Sequence, residues 1–265
     1  MGDCAPRPLV GGRSNRVWRL GDVVVKLYCA RRENPLFAND PLREHAILTS
    51  LSTTGFVPSP LSLGRFEDHD WLAYRHTPGV TWASGAGQVA TILGRLHEQP
   101  PVSGLPTGVN GSDELALQTR QILDLCKVSL DLRKAEPTGH VALLASTRLI
   151  HGDPVPGNIV VSHGHLTLID WQCPQIGDPA EDIALFLSPA MQQIYRGEAL
   201  TALEESEFLA TYPDPEVVAR YQLLKPWYHW RMASYCRWRD ERDGRQDSLA
   251  YQLERAALDQ CMEVA

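Results

Sequence analysis

The chain has 265 residues, of which 43% are hydrophobic and 22% are charged, and its formal net charge at pH 7 is −7. This composition predicts a folded protein with a sizeable buried core rather than a disordered or coiled-coil chain. The acidic balance disfavours binding to nucleic acid, which usually needs a basic surface. No apolar run approaches the roughly 18 residues of a membrane span, and the N-terminus lacks the pattern of a signal peptide. We therefore expect a cytoplasmic protein without membrane insertion.

The first part of the chain predicts a small antiparallel sheet with one helix packed on it. Residues 8–28 contain short strand-like runs that are separated by the Gly11-Gly12 pair and by a tight Gly-Asp turn. Residues 42–51 place apolar side chains at helical spacing. Residues 61–66 and 71–74 then predict two further strands.

A Thr-Pro-Gly sequence ends this pattern, so we expect a linker near residues 72–79 between two lobes, residues 1–75 and residues 76–265. The second lobe is predicted to be mainly helical. Its exception is the stretch 158–169, where two short apolar runs flank a polar turn and predict a hairpin. The whole pattern indicates an α+β protein.

One polar loop and the hairpin after it carry residues suited to chemistry. The loop runs from His151 through Asp153 to Asn158 and contains two prolines and two glycines, which make it rigid, and Asp170 lies at the far end of the hairpin. In phosphoryl transfer one carboxylate orients a hydroxyl, while an amide and a second carboxylate hold Mg²⁺ against nucleotide phosphates. The spacing from Asp153 to Asn158 equals that of the protein-kinase catalytic loop. This pattern therefore predicts phosphoryl transfer.

Three motifs occur in this region, and their combination is more specific than any one of them. They are His151-Gly-Asp-x-x-x-x-Asn158, Ile169-Asp170-Trp171 and Gly177-Asp178-Pro179-Ala180-x-Asp182. In combination they resemble the aminoglycoside phosphotransferase and choline kinase-like family, which consists of small-molecule kinases with a protein-kinase-like fold. Weaker agreement extends over most of the chain, at Gly11-Gly12, Lys26, Glu44, Thr77-Pro78-Gly79 and Leu96-His97. The resemblance implies a bilobal α+β fold, with a small antiparallel sheet and one helix in the N-terminal lobe and a mainly helical C-terminal lobe.

The resemblance also implies roles for individual residues. Asp153 would be the catalytic base, and Asn158 and Asp170 would be the Mg²⁺ ligands. Lys26 would contact the α and β phosphates of the nucleotide while it is paired with Glu44. The residues themselves support the pair, because a lysine that closes an apolar strand and a glutamate that opens an apolar helix can hold each other's charge.

The glycine-containing segment is a weaker nucleotide site. Gly11-Gly12 departs from the GxGxxG pattern, and a glycine pair is equally typical of an ordinary hairpin turn. Backbone amides here, together with Ser14 and Asn15, are candidates for covering the phosphates. For His151 we expect a structural role, bracing the catalytic loop through hydrogen bonds.

These observations predict an ATP- and Mg²⁺-dependent kinase that phosphorylates a hydroxyl group of a small, amine-bearing molecule, of the aminoglycoside, choline, ethanolamine or thiamine type. The N-terminal lobe would bind the nucleotide, with GTP open as a second donor, and the C-terminal lobe would bind the acceptor. The net charge is +2 for residues 1–75 and −9 for residues 76–265, which is either a sign of a cationic acceptor or ordinary variation of surface charge. Aromatic residues also crowd into residues 221–238, where they either line an acceptor pocket or fill the core.

Two other functions stay open. A nucleotide-binding scaffold without catalysis would keep the same motifs. A protein kinase is less favoured, because Asp170-Trp171-Gln172 stands where protein kinases have Asp-Phe-Gly and no Ala-Pro-Glu segment follows.

Overall fold

The computed structural model describes residues 5–9, 15–29 and 34–264. Gly11-Gly12 and Ser14, which the sequence suggested as phosphate contacts, lie outside the described residues. The strands of the described chain are β1 (Arg7–Pro8), β2 (Asn15–Leu20), β3 (Val23–Tyr28), β4 (Pro60–Phe66), β5 (His69–Arg75), β6 (Val80–Thr81), β7 (Arg148–Ile150), β8 (Ile159–Ser162), β9 (His165–Leu168) and β10 (Gln175–Gly177). The helices are α1 (Pro41–Ser50), α2 (Ala86–His97), α3 (Gly111–Asp124), α4 (Leu130–Lys134), α5 (Ala180–Leu187), α6 (Pro189–Tyr195), α7 (Ala202–Thr211), α8 (Pro215–Arg242) and α9 (Leu249–Val264).

The chain divides into two compact units. The first comprises the described residues of Met1–Trp82 together with Gly157–Pro174, and the second comprises Ala83–Pro156 and the described residues of Gln175–Ala265. The hairpin β8–β9 therefore groups with the N-terminal residues, whereas the sequence placed it in a lobe that begins at residue 76. The physical reason is strand pairing, because β6 pairs antiparallel with β8.

The first unit is built on an antiparallel sheet with the strand order β1-β2-β3-β5-β4. Side chains of β3 alternate between its two faces, so that Val24, Lys26 and Tyr28 are buried together. Helix α1 begins after Asp40, whose carboxylate accepts hydrogen bonds from the backbone N–H groups of Leu42 and Arg43. The predicted sheet and its helix are confirmed.

The predicted linker at residues 72–79 differs from the structure in its first half. Residues 72–75 form the end of β5, where Leu72 pairs with Lys26 of β3 and with Leu63 of β4. Leu72 has no exposed surface. The backbone leaves the sheet only at the Thr-Pro-Gly sequence that follows.

The second unit is mainly helical and is organised around α8, which packs against α3, α5 and α9. Helix α8 begins directly after Asp214, whose side chain accepts from two backbone N–H groups, and continues through Pro226 to Arg242. Helix α5 begins at Ala180, whose N–H donates to the Asp178 carboxylate. Among the described residues, no helix combines the length and apolar character that a bilayer crossing requires.

Candidate active site

A buried lysine lies at the centre of the first unit. The Lys26 Nζ atom is 2.7 Å from Oε2 of Glu44, and it also donates to Oδ1 of Asp170. Lys26 and Glu44 are 3% and 1% exposed, while the Asp170 side chain keeps 31% of its surface. The pair predicted between β3 and α1 is therefore present, and the hairpin adds a second carboxylate to it.

Opposing effects set the charges of this cluster. Burial disfavours the ammonium group of Lys26, but the carboxylates of Asp170 and Glu44 outweigh burial and raise the pKa of Lys26 well above its ordinary value. Burial raises the pKa of Glu44, and the Lys26 charge opposes that shift only in part. A lysine that stays charged in a buried place is suited to hold phosphate oxygens.

Tyr28 is a fourth member of the cluster, which the sequence did not indicate. Its hydroxyl donates to the same Oε2 atom of Glu44, and its ring centroid lies 5.1 Å from the Lys26 Nζ atom. Burial, followed by the Glu44 charge, raises the pKa of Tyr28, so that its hydroxyl stays a hydrogen-bond donor. The two-residue spacing from Lys26 was the available signal, because side chains at i and i+2 share a strand face.

The two predicted metal ligands flank the base of the hairpin. The backbone carbonyl of Asn158 accepts from the N–H of Ile169 at 2.9 Å, which brings Asn158 next to the residue that precedes Asp170. Asp170 adopts a left-handed backbone conformation with φ at +63°, which aspartate tolerates better than most residues. An amide oxygen and a carboxylate are hard donors of the kind Mg²⁺ takes from proteins, with phosphates and water as the other ligands. This donor set fits the metal.

Asn15, the remaining described candidate for nucleotide binding, has its side chain engaged within the first unit. Its amide nitrogen donates to Asn39 at 2.8 Å and to Gln172 at 3.1 Å, and its carbonyl oxygen accepts from the Cys29 N–H. These bonds tie β2 to the segment that follows Asp170. A contact of Asn15 with nucleotide stays a prediction.

Residues 151–156 of the catalytic loop belong to the second unit, where hydrogen bonds of their backbone hold them. The carboxylate of Asp182 accepts from the N–H of His151 at 2.8 Å and from the N–H of Gly152 at 2.9 Å. The N–H of Asp153 faces Nδ1 of His151 at 3.2 Å, and His151 has no exposed surface. His151 thus has the bracing contacts expected of it, next to the candidate base.

Comparison with protein families decides the class of this chain. The family model described as APH, phosphotransferase enzyme family, matches residues 6–221. The chain belongs to this phosphotransferase family. Its membership confirms the expected small-molecule kinase class and the resemblance from which that class was predicted. No curated protein sequence matches the chain significantly.

Solved structures resemble this phosphotransferase at low identity. A choline/ethanolamine kinase family protein from Mesorhizobium loti is 14% identical with a TM-score of 0.68, covering 98% of this chain and 87% of its own. Choline kinase LicA from Streptococcus pneumoniae is 16% identical with a TM-score of 0.64, covering 97% and 94%. Amicoumacin kinase hAmiN, in complex with AMP-PNP, Ca²⁺ and Ami, is 16% identical with a TM-score of 0.59, covering 97% and 86%. These likenesses confirm the protein-kinase-like fold class.

In this phosphotransferase the Asp178 motif is held by an arginine from α8. Arg220 donates through Nε to Asp178 at 2.6 Å, and its other nitrogens donate to the Asn110 side chain and the Ala142 carbonyl. Arg231, also on α8, forms two bonds with Glu181. Neither contact could be predicted from the sequence, because both join segments far apart in the chain.

The aromatic residues between Tyr221 and Trp238 lie mostly in the core of the second unit. Each of the first five is less than 10% exposed, namely Tyr221, Trp227, Tyr228, Trp230 and Tyr235. Trp238 is half-buried and contacts the Tyr235 ring. Of the two interpretations of this tract, core packing accounts for these five side chains.

Proposed function

We propose that this phosphotransferase transfers the terminal phosphoryl group of ATP, with Mg²⁺, to a hydroxyl group of a small amine-bearing molecule. The observation that carries the proposal is the buried ammonium group of Lys26, held between Glu44 and Asp170. A solvated strand-end lysine would not need two carboxylates around it. A buried, permanently charged lysine next to a candidate metal ligand suits the binding of nucleotide phosphates.

Each residue of the set has a distinct task in this proposal. Lys26 binds phosphate oxygens, and Glu44 keeps the ammonium group in place. Asn158 and Asp170 hold Mg²⁺, which when bound neutralises charge on the phosphates. Asp153 accepts the proton of the acceptor hydroxyl and orients its oxygen for attack. Catalysis then rests on positioning and charge, without a covalent enzyme intermediate.

A cationic acceptor is supported by charge and by the names of the related structures. Residues 76–265 carry a net charge of −9, which attracts cations. Two of the related structures are named for choline or ethanolamine, and choline is a quaternary ammonium alcohol. The buried aromatic residues of α8 add no support, because their faces are covered by the core.

An acceptor screen tests the proposal directly. The purified protein is incubated with ATP and Mg²⁺ and with choline, ethanolamine, thiamine, amino sugars, aminoglycosides or peptide antibiotics, and ATP consumption and product mass are measured. We expect an amine-bearing alcohol to gain one phosphoryl group and EDTA to abolish the reaction. Parallel reactions with GTP establish the nucleotide preference.

The Asp153→Asn variant is the control for contaminating kinases, and should fail with every acceptor. A best substrate that is a neutral sugar or an anion, with all amines inactive, would contradict the amine preference. Turnover that is unchanged by EDTA would contradict the metal dependence.

A further inference from the structure

We infer that His97 and Tyr212 form a positioning pair for the catalytic loop, acting on it through Asp182. The inference rests on the proposed function for its kinetic consequence, because the loop carries the candidate base Asp153. It adds two residues that neither the catalytic motif nor the nucleotide cluster contains. Both lie in the second unit, as do Asp182 and residues 151–153 of the loop, so that all the contacts below occur within one compact part of the chain.

The first of these contacts joins Asp182 to the backbone of the loop. Asp182 has no exposed surface, and its two oxygens accept from the N–H groups of His151 and Gly152. Gly152 is held in the left-handed region with φ at +76°. The carboxylate therefore fixes a turn of the backbone immediately before Asp153, and its own orientation decides where that turn lies.

His97 fixes the orientation of this carboxylate. Its Nε2 atom is 3.0 Å from Oδ2 of Asp182, the same oxygen that accepts from the His151 N–H. A carboxylate can only accept, so Nε2 carries the proton and donates it to the hydrogen bond. In the singly protonated ring, Nδ1 must then be the acceptor.

Tyr212 supplies the donor that this arrangement requires. Its hydroxyl is 2.6 Å from Nδ1 of His97. Burial, followed by the charge of Asp182, raises the pKa of Tyr212, which keeps the hydroxyl protonated. Tyr212 thus favours the tautomer of His97 that can hold Asp182. His97 and Tyr212 are 3% and 5% exposed, so water competes little for these bonds.

The packing of α2 brings the two residues together. Gly94 lies one turn before His97, and a Cβ atom on it would lie 2.3 Å from Cγ of Pro213, the residue after Tyr212. Absence of a side chain at this position therefore permits the close approach. Tyr212 directly follows α7, the helix that packs along α2.

The same unit contains a second buried histidine–carboxylate pair, which is a matched control. His229 on α8 faces Glu254 on α9 through Nδ1 at 2.7 Å, and the two residues are 7% and 0% exposed. Glu254 also accepts from Ser188 and from the Ala190 N–H. Ser188 directly precedes α6 and Ala190 lies within it, so neither partner belongs to the catalytic loop.

The first experiment compares His97→Leu, His97→Gln and His229→Leu. Leucine fills the space without hydrogen bonds, whereas the glutamine amide can still donate to Asp182. We expect His97→Leu to lower kcat about 10- to 100-fold with little change in KM for ATP, as is typical when a residue supporting a functional group is lost. His97→Gln should recover most of that loss. His229→Leu should lower the melting temperature and leave kcat of the folded enzyme unchanged.

Hydrogen–deuterium exchange of the 148–156 segment gives a readout that does not depend on any substrate. The amides of His151 and Gly152 should exchange faster in His97→Leu than in wild type, and His97→Gln should restore protection. Unchanged exchange in His97→Leu would overturn the inference. A wild-type protein that consumes no ATP with any acceptor or with water would instead refute the proposed function, and the exchange comparison would still decide the positioning role.

The second experiment removes single hydroxyl groups. Tyr212→Phe should lower kcat about 2- to 10-fold, the equivalent of one hydrogen bond between neutral groups. Tyr251→Phe is its control, because the Tyr251 hydroxyl also donates one side-chain hydrogen bond, in its case to Asp131 at 2.9 Å. Equal effects of the two substitutions on kcat would show that Tyr212 acts by packing alone and would overturn its place in the pair.

Discussion

Two clusters of acidic side chains, one in each unit, serve different purposes. In the first unit Glu44 and Asp170 face the ammonium group of Lys26, and a tyrosine hydroxyl is the only neutral donor described on Glu44. In the second unit Asp182 faces two backbone N–H groups and a histidine. The first arrangement brings charged groups together. In the second, the Asp182 carboxylate holds the loop backbone through hydrogen bonds, and this arrangement is called the clamp below.

The two arrangements should respond differently to amino-acid substitutions. A buried ion pair loses more than the pair itself when one partner is removed, because the other charge stays buried without compensation. Loss of the Asp182 contacts would instead change the backbone geometry of the loop, since the backbone amides remain when a side chain is replaced. We therefore expect substitutions in the first unit to appear mainly in stability and nucleotide use, and substitutions around the loop to appear mainly in turnover.

The largest expected effect is that of Asp153→Asn, which removes the candidate base and keeps the shape of the side chain. We expect kcat to fall by about 10²- to 10⁴-fold, the range of general-base catalysis, with nucleotide affinity nearly intact. Steady-state kinetics and nucleotide titration measure the two quantities. Asp124→Asn, at an exposed carboxylate, is the control. Normal turnover in Asp153→Asn would remove this residue from the chemistry.

Lys26→Met should have the largest effect on stability. It leaves Glu44 and Asp170 without their cation, and we expect a loss of about 3 to 5 kcal/mol in the free energy of unfolding at pH 7. Arg75→Met is the control, because its partner Asp22 is exposed and such pairs contribute about 0 to 1 kcal/mol. Denaturant titrations of the three proteins give the comparison, and equal losses would contradict it.

The pH dependence of the Lys26→Met effect follows from the raised pKa of Lys26. Because the folded-state pKa lies above the ordinary 10.5, stability linked to this proton is fully present below pH 10.5 and is lost as pH rises through the folded value. The difference between wild type and Lys26→Met should thus stay constant from neutral pH to about pH 10 and shrink above it. A difference that shrinks below pH 9 would show that the lysine is not held as described.

Tyr28→Phe should cost less, about 1 to 3 kcal/mol, because Glu44 keeps Lys26 and loses one hydroxyl donor. Tyr74→Phe is the matched control: Tyr74 is also buried beside these charges, but the side-chain hydrogen bonds that lower the Glu44 pKa come from Lys26 and Tyr28. Unfolding measurements at pH 7 distinguish the two variants. A larger loss in Tyr74→Phe would reverse the assignment.

Gly152→Ala tests whether the backbone turn that Asp182 holds affects turnover, and it has the smallest expected effect on stability. A left-handed alanine costs about 1 to 2 kcal/mol. Gly164→Ala, at φ +81° on the hairpin tip with open space around it, should cost a similar amount. Only Gly152→Ala should also lower kcat, since its amide is bound by Asp182. Equal kcat values for the two variants would contradict the clamp.

Local patterns were sufficient for the strands of the N-terminal sheet, the helix α1 and the hairpin β8–β9. A short β-branched run placed Lys26 on a strand, and helical spacing placed Glu44 at the opening of a helix, so that their pairing could be predicted. The Thr-Pro-Gly sequence marked the end of the sheet, but residues 72–75 were assigned to the linker. Their membership in β5 depends on ladder bonds to β3 and β4, which local composition does not encode.

By itself the sequence determined the kinase-like fold class and supplied Asp153, Asn158 and Asp170 as candidate site residues, because motif spacing is a property of neighbours in the chain. Only the tertiary structure decided what holds them. Lys26 meets Asp170 across 144 residues, and His97 meets Tyr212 across 115. It also decided that most aromatic residues of α8 lie in the core. Burial and long-range hydrogen bonds depend on which elements pack together, and one segment's periodicity is the same whether a neighbouring helix or a ligand covers its face.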